Sequence, residues 1–525
     1  MQKILKDCFR RNSWNYKLIS FCSSIMLVGS FLPNVALAQT PTETPSSIQP
    51  YLDRVVEQVT EYELDNGMKF ILLKRDKAPI VSFVTYADVG GANEPDGKTG
   101  VAHFLEHLAF KGTRRIGTNN YEAEKPLLEE LDRLFEEIKA AKEAGDEAKV
   151  AQLQAKFAEV ETEATKYAKQ NEFGQIVETS GGEGLNAATS ADYTIYFYSL
   201  PANKIELWMA LESERFLDPV FREFYKEKEV ILEERRLRTD NSPVGKMIEE
   251  FLDTAYEVHP YKRPVIGYDE DIRNLERGNV EEFFTTHYAP NNLTVAIVGD
   301  IDPQEVKELS EVYFGRYPAK AQPPEVTKVE PSQTQTKEVT LELNSQPWYL
   351  EGYHRPSINH PDHAVYEIIS RLLSDGRTSR LYKSLVEEKQ VALTAQGLSG
   401  FPGEKYPNLM LFYALTAPNS SVEDVAKALE VEIKRLKTEP VSLQELNRVK
   451  TQARAELLRS LDSNIGMGQL LVKYEVLTGD WRNLFKQLEA IATVNAADVQ
   501  RVSQATFTPE NRTIGRLLSQ EGNGE

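Results

Sequence analysis

Residues 100–110 (GVAHFLEHLAF) carry a histidine pair and a glutamate in the order His103-x-x-Glu106-His107. No Pro or Gly interrupts the run before Gly112, which predicts one helix with Thr99 at its N-cap. On a 3.6-residue period His103 and His107 fall one turn apart on one face, with Glu106 beside them. Val101, Phe104, Leu105, Leu108, Ala109 and Phe110 cover the other faces, so the helix should be buried. Two imidazoles and a carboxylate in such a place are costly unless something compensates them. A divalent cation does: neutral imidazole nitrogens suit Zn²⁺, and a carboxylate one step away can hold its water. A lone buried histidine is ordinarily a hydrogen-bonded core residue. The pair with its glutamate, in a chain of only 7 His, is what favours metal.

A zinc site needs a further protein ligand, and glutamate is a suitable donor. Residues 224–238 (FYKEKEVILEERRLR) read as a helix on which Glu227 and Glu234, seven apart, share a face. Phe224, Val230, Ile231 and Leu237 are expected to bracket that face, while Lys226, Glu229, Glu233 and Arg236 point to solvent and Leu232 falls off the stripe. Two carboxylates within an apolar stripe suit ligation and support of a ligand.

The elements that must bring these helices together follow from patterning. Residues 68–74 and 80–88 are β-rich, with Asn66-Gly67 marking a tight hairpin into the first. Residues 121–170 are rich in Glu, Lys, Ala and Leu, with apolar residues at helical spacing on either side of Ala144-Gly145-Asp146. They read as a helical hairpin inserted between the two halves of the metal site, an arm exposed to solvent, with a specific docking role as the alternative. Residues 186–200 (NAATSADYTIYFYSL) alternate and read as one strand, and 292–298 as a closing strand. The chain also repeats itself: 280–298 aligns with 499–517 at a constant offset of 219, matching Pro290 to Pro509, Asn292 to Asn511 and Thr294 to Thr513. Each half therefore ends in the same helix, turn and strand, and a Pro/Gln/Thr-rich linker at 318–337 separates them.

The motif and the Glu-x-x-x-x-x-x-Glu helix resemble the inverted-motif zinc peptidases of the pitrilysin family, M16, and most of all the mitochondrial-processing-peptidase branch, M16B. Further matches are Leu64-Asp65-Asn66-Gly67, Gly90-Gly91-Ala92-Asn93-Glu94, Phe110-Lys111-Gly112-Thr113, Asn186-Ala187-Ala188-Thr189-Ser190, His259-Pro260-Tyr261 with Arg263-Pro264-Val265-Ile266-Gly267, and Tyr288-Ala289-Pro290-Asn291-Asn292. The resemblance implies an α+β chain of two homologous LuxS/MPP-like metallohydrolase domains, each an antiparallel sheet with helices, joined into one half of a clamshell. It implies His103, His107 and Glu234 as ligands of one Zn²⁺ per chain, Glu106 as general base and Glu227 as a supporting catalytic carboxylate. It also makes Asn186, Ala187 and Thr189 substrate-binding candidates on an edge strand that pairs with extended peptide. Family members with a complete site carry an Arg and, seven residues later, a Tyr in the segment matching 385–393 (LVEEKQVAL). Here those positions are Val386 and Leu393, which have no side-chain donor. The expectation is a zinc endopeptidase that borrows these groups from a non-catalytic M16B partner subunit, as a heterodimer, or works as a homodimer or single chain with Tyr193 or Tyr196 as donor. The rivals are a non-catalytic structural or assembly protein and a peptide-binding homologue. In the second half His354, His360 and His363 lack the motif spacing and are expected at the surface or as caps.

At 525 residues the chain is too long for one core. Residues 1–38 combine Lys3, Lys6, Arg10, Arg11 and Lys17 with an apolar run and Ala36-Leu37-Ala38, a secretory signal; retention as an anchor is the alternative to cleavage between Ala38 and Gln39. The expected order is then a spacer at 39–55, an N-terminal zinc domain at 56–317, the linker, a C-terminal domain without metal at 338–519 and a tail at 520–525. Both cysteines, Cys8 and Cys22, fall in the leader, leaving no disulfide or thiolate ligand in the mature chain. The leader holds five basic residues and one acidic one, so its loss takes the formal charge from −19 to −23. That charge argues against nucleic acid or an anionic membrane as partner. No later apolar run is long enough to span a bilayer, and the mature protein is expected to be periplasmic or secreted.

Overall fold

The computed structural model describes residues 49–520. The expected signal peptide, most of the spacer and residues 521–525 lie outside the described residues. The first half runs α1 (Gln49–Gln58), β1 (Val59–Glu63), β2 (Lys69–Lys74), β3 (Ile80–Ala87), α2 (Val101–Leu108), α3 (Tyr121–Glu143), α4 (Glu147–Thr165), α5 (Glu172–Thr179), β4 (Glu183–Thr189), β5 (Thr194–Pro201), α6 (Ile205–Leu217), α7 (Phe224–Arg235), α8 (Pro243–Ala255), α9 (Asp269–Asn274), α10 (Arg277–His287), β6 (Leu293–Gly299) and α11 (Pro303–Tyr313). The second half runs β7 (Lys337–Leu343), β8 (Trp348–Arg355), α12 (His363–Ser374), β9 (Ala392–Phe401), β10 (Asn408–Thr416), α13 (Val422–Thr438), α14 (Leu443–Asp462), α15 (Asn464–Thr478), α16 (Asn483–Thr493), α17 (Ala496–Thr506) and β11 (Arg512–Ser519).

The two sheets repeat one topology. The first has the order β1-β2-β6-β3-β5-β4 and the second β7-β11-β8-β10-β9. The aligned segments become α10 with β6 and α17 with β11, and each terminal strand enters the middle of its sheet. There β6 lies parallel to β2 and antiparallel to β3, as β11 lies to β7 and β8. The sheets are therefore mixed rather than antiparallel throughout, because a strand that returns after several helices can join its neighbour in either sense. The repeat extends to single bonds. Asn292 Nδ2 donates to His287 O at 2.8 Å, and Asn511 Nδ2 donates to Thr506 O at 2.9 Å, tying helix to strand in both halves.

Each half lays one helix on the other's sheet. Val472 of α15 packs against Val84 and Ala296 of the first sheet, and Met247 and Phe251 of α8 against Leu350, Leu411 and Leu517 of the second. Both faces of the first sheet are thus covered, which explains why β3 and β6 are apolar along nearly their whole length. The predicted strand at 186–200 is instead two strands, β4 and β5, joined through residues 190–193, where Ser190 Oγ accepts the amides of Asp192 and Tyr193. A hydroxyl turn of this kind needs no glycine, so the break escapes a search for Gly-rich turns. Between residues 318 and 336 there is neither helix nor strand, yet the linker is pinned: Glu330 accepts the amides of Glu257, Val258 and His259, and Lys328 pairs with Asp96. The expected helical hairpin is α3 and α4, packed through Leu131, Leu134, Val160 and Ala164. Of the second-half histidines, His360 is exposed, but His363 is buried at the start of α12, where Arg355 donates to its Nδ1 at 2.8 Å.

Candidate metal centre

Helix α2 begins at a crowded crossing of two loops. Gly100 has φ +87°, and a Cβ there would come within 2.7 Å of Ile266 O; Gly267, at φ +88°, sits equally close to the Thr99 and Gly100 backbone. Gly100 is accordingly the N-cap, not Thr99, whose hydroxyl donates instead to Asp271 Oδ2 at 2.6 Å. The first amides of the helix find another acceptor: Glu94 takes Gly100 N and Ala102 N, each at 2.9 Å. Burial pushes the Glu94 carboxyl up to about 8 against the pull of those two amides.

On this helix His103 is 7% exposed and His107 half-buried, with ring centroids 4.7 Å apart and nearly perpendicular. Across from them α7 presents Glu234: Oε1 lies 3.9 Å from His103 Nε2, and Oε2 3.5 Å from His107 Nε2. The donor atoms of all three residues lie within 4.8 Å of one another. Tetrahedral zinc with bonds of about 2.0–2.1 Å holds its ligands about 3.3 Å apart, so a small contraction would close this set on an ion. Two neutral nitrogens and one carboxylate oxygen leave a fourth position open, the pattern of a catalytic rather than a structural site. Burial, then the neighbouring His107 and Arg238, hold His103 far below its ordinary value, so it stays the neutral imidazole that a metal requires.

The remaining polar groups hold the set in place. Glu227 Oε1 lies 2.9 Å from His107 Nδ1, and its Oε2 lies 2.6 Å from Lys111 Nζ. Burial raises Glu227, but His107 and Lys111 outweigh it and bring the carboxyl down to about 2. Burial works against charge on His107, and Glu227 and Glu234 overcome it, raising that residue. Thr189 Oγ1, at the end of β4, donates to Glu106 Oε2 at 2.7 Å; burial nonetheless keeps Glu106 above the ordinary carboxylate range. Arg238 NH1 lies 2.7 Å from Glu234 Oε1.

The sequence-predicted residues are distributed as follows. His103, His107, Glu106, Glu234 and Glu227 come together. Asn186, Ala187 and Thr189 lie on β4, at the edge of the first sheet; Ala187 is buried, Asn186 Oδ1 accepts the Ala187 amide, and only Thr189 reaches Glu106. The expected buried stripe of α7 needs correction. Val230 and Leu237 are 47% and 54% exposed, and the buried face is Phe224, Glu227, Lys228, Ile231, Leu232 and Arg235. Lys228 Nζ donates to Leu275 O at 2.6 Å, and Arg235 pairs with Glu249 at 2.9 Å, so two cations pass inward with partners. Beyond Arg235 the backbone widens into a π-helical turn at Arg236–Asp240, which rotates Leu237 off the face. In the second half Val386 is half-buried and Leu393 exposed; in the first, Tyr196 is buried with its hydroxyl 3.0 Å from that of Tyr288. Three neighbours of the site, Lys111, Arg238 and Glu94, were given no role from the sequence, although two of them lie in the quoted motifs. Lys111 and Arg238 each stand four residues after a metal-set residue, a spacing that could have found them. Glu94 could not be found this way, since it depends on the loop path.

The chain matches the family description "Insulinase (Peptidase family M16)" over residues 70–130 and 157–269, and "Peptidase M16 inactive domain" over 274–453. The gap at 131–156 falls within the helical hairpin. Among relatives, the chain is 28% identical over 473 residues to "Zinc protease PqqE" of Helicobacter pylori, covering 89% of this chain and 93% of that protein. It is 22% identical over 503 residues to "Probable mitochondrial-processing peptidase subunit beta" of Schizosaccharomyces pombe, covering 91% and 95%. Its structure superposes on that of a protease from Helicobacter pylori with a TM-score of 0.74 at 26% identity, over 88% of this chain and 99% of the other. The two sheet domains correspond to the paired N- and C-domains of these proteins, one half of a clamshell.

Proposed function

This chain belongs to the M16 family of zinc proteases, and from that premise we propose that it is a zinc-dependent endopeptidase acting on peptides or unfolded protein segments. The single observation that carries the reading is the convergence of His103, His107 and Glu234, beside a Glu106 held by Thr189, on one buried helix pair. His103 and His107 through Nε2, with Glu234 through its carboxylate, would hold the ion, which when bound supplies acidity to its water and polarises the scissile carbonyl. Glu106, kept proton-hungry by burial, takes the proton from the attacking water and returns it to the leaving amine. Lys111 and Glu227 fix the His107 ring so that Nε2 faces Glu234. β4 is an edge strand among the described residues, and its outer edge would pair by main-chain hydrogen bonds with an extended substrate, alongside Asn186 and Ala187.

The oxyanion side is to be completed by a partner. The side chains of Val386 and Leu393 have nothing to donate, and the Tyr196 hydroxyl is already engaged in the core, which leaves half-buried Tyr193 as the donor that a single chain would use instead. The likeness to a processing-peptidase beta subunit supports a heterodimer with a non-catalytic M16B chain over a homodimer. Among the described residues no helix is long and apolar enough to cross a membrane, and the leader of the sequence supports export. Glu106→Gln tests the chemistry: it should keep stoichiometric zinc and lose cleavage of an unstructured peptide by at least about a thousandfold. Full cleavage by that variant, or no zinc in the wild type, would refute the reading. Zinc bound with peptide retained uncut would favour the peptide-binding alternative.

A further inference from the structure

The inserted hairpin is expected from sequence to be a solvated arm, yet its base is built into the wall behind the metal helix pair. Tyr225, at the start of α7, is boxed by Phe135 of α3 at a centroid distance of 5.0 Å, Phe157 of α4 at 5.1 Å and Phe224 at 4.9 Å. Its hydroxyl donates to Asp132 Oδ1 of α3 at 3.0 Å, and Asp132 Oδ2 also accepts from Arg277 at 2.5 Å. One turn on, Lys228 Nζ lies 4.0 Å from the centre of the Phe135 ring while donating to the last carbonyls around α9. On the other side of α7, Phe224 stacks on Phe104 of α2 at 4.6 Å and 14° between planes, and Phe104 follows His103 directly. Hairpin, α7 and α2 thus form one continuous packed series, with the metal set at its far end.

We infer that the hairpin base, through Phe135, Phe157 and Asp132 against Tyr225, positions α7 and so sets the separation of Glu234 and Glu227 from the two histidines. The inference rests on the zinc site proposed above. α7 carries two buried cations, the buried carboxylate of Glu227 and the half-buried one of Glu234, so apolar burial alone does not fix its rotation; the ring box around Tyr225 does. The family match lapses over 131–156, which includes both Phe135 and the hairpin tip.

The test uses the full mature chain. Phe135→Ala with Phe157→Ala should weaken zinc affinity about tenfold, measured by competition with a chromophoric chelator, the scale on which outer groups act on a metal. It should also change the visible spectrum of the cobalt-substituted protein, a readout that global stability does not move. Tyr225→Phe keeps the ring and drops the bond to Asp132, so it should fold and lose affinity by a smaller factor. Phe135→Tyr preserves the ring contact and should restore wild-type binding. If the double variant does not fold, Tyr225→Phe decides alone. Folded variants with wild-type affinity and an unchanged cobalt spectrum overturn the inference while leaving the zinc site standing; a wild-type chain that takes no zinc overturns both.

Discussion

The two halves build the same helix pair and put different groups across it. In the first half, α2 follows the central strand β3 and faces α7, with two histidines against Glu234 at 3.5 and 3.9 Å. In the second, α12 follows β8 and faces α14, and there Arg371 NH1 meets Glu456 Oε2 at 2.6 Å while Arg380 grips Glu445 at 3.0 Å. An ion pair brings its own counter-charge and needs nothing further. In the first half Glu234 meets Arg238 at 2.7 Å and also faces two imidazole nitrogens, three donor residues that together suit a metal. Histidine burial separates the halves too. His363 is buried like His103, but its Nδ1 accepts from the Arg355 guanidinium, whereas the Nδ1 of His107 faces a carboxylate.

The comparison breaks most sharply if the first half is given the second half's solution. His107→Arg places a guanidinium where Glu227 and Glu234 can both receive it. The expected outcome is loss of zinc and loss of peptide cleavage by at least about a thousandfold, with far-UV circular dichroism unchanged. An active variant would show that the histidine pair is not the working part of the site. A gentler change leaves the ligands alone. Lys111→Met removes the cation beside Glu227, whose carboxyl then rises from about 2 and holds the His107 ring less firmly. Zinc affinity should fall roughly 10-fold, within the range found for groups that orient a ligand.

What could be read from the sequence divides along the same line. The candidate metal set and the carboxylates beside it were legible because their information is local: His103, Glu106 and His107 lie within five residues, and Glu227 and Glu234 are two turns apart on one helix. The repeat of helix, turn and strand at 280–298 and 499–517 was legible for the same reason. Features that depend on partners distant in sequence were not. Hydropathy assigned Val230 and Leu237 inward and could not foresee Lys228 and Arg235 turning in, since their acceptors, the Leu275 carbonyl and Glu249, belong to other elements. Composition read the linker as a tether and missed that Glu330 would find three amides around His259. The exchange of α8 and α15 between sheets leaves no mark in either helix's own periodicity.

A pH experiment sharpens the contrast between the histidines. Burial first, and the Arg355 guanidinium next, bring His363 down to about 3 in the folded chain, against 6.5 when free. The unfolded state therefore binds more protons between those values, and folding stability contributed by neutral His363 falls as pH drops from about 6.5 toward 3. His363→Asn keeps an acceptor for Arg355 and removes the titration. Compared with wild type, both free of metal, its melting temperature should decline less over that window, a difference worth a few kcal/mol at the acid end. Parallel curves for the two proteins would mean that His363 is not held neutral by its surroundings.

The smallest effect is expected where the second half's ion pair is cut. Glu456 is more than half exposed and Arg371 about one-fifth exposed, so much of their attraction is screened by water. Arg371→Ala should cost roughly 1 kcal/mol, a shift in melting temperature of about 2–4 °C, part of it from lost packing of the arginine stem. Zinc content and peptide cleavage should not change, because α12 and α14 contribute no atom to the metal set. If this cut instead lowered zinc affinity, the reciprocal seating of α8 and α15 would be the route, since α14 leads directly into α15, which covers β3 and β6 behind the metal helix. The halves would then act as one mechanical unit, and the ion pair would be part of the site's support rather than a local brace.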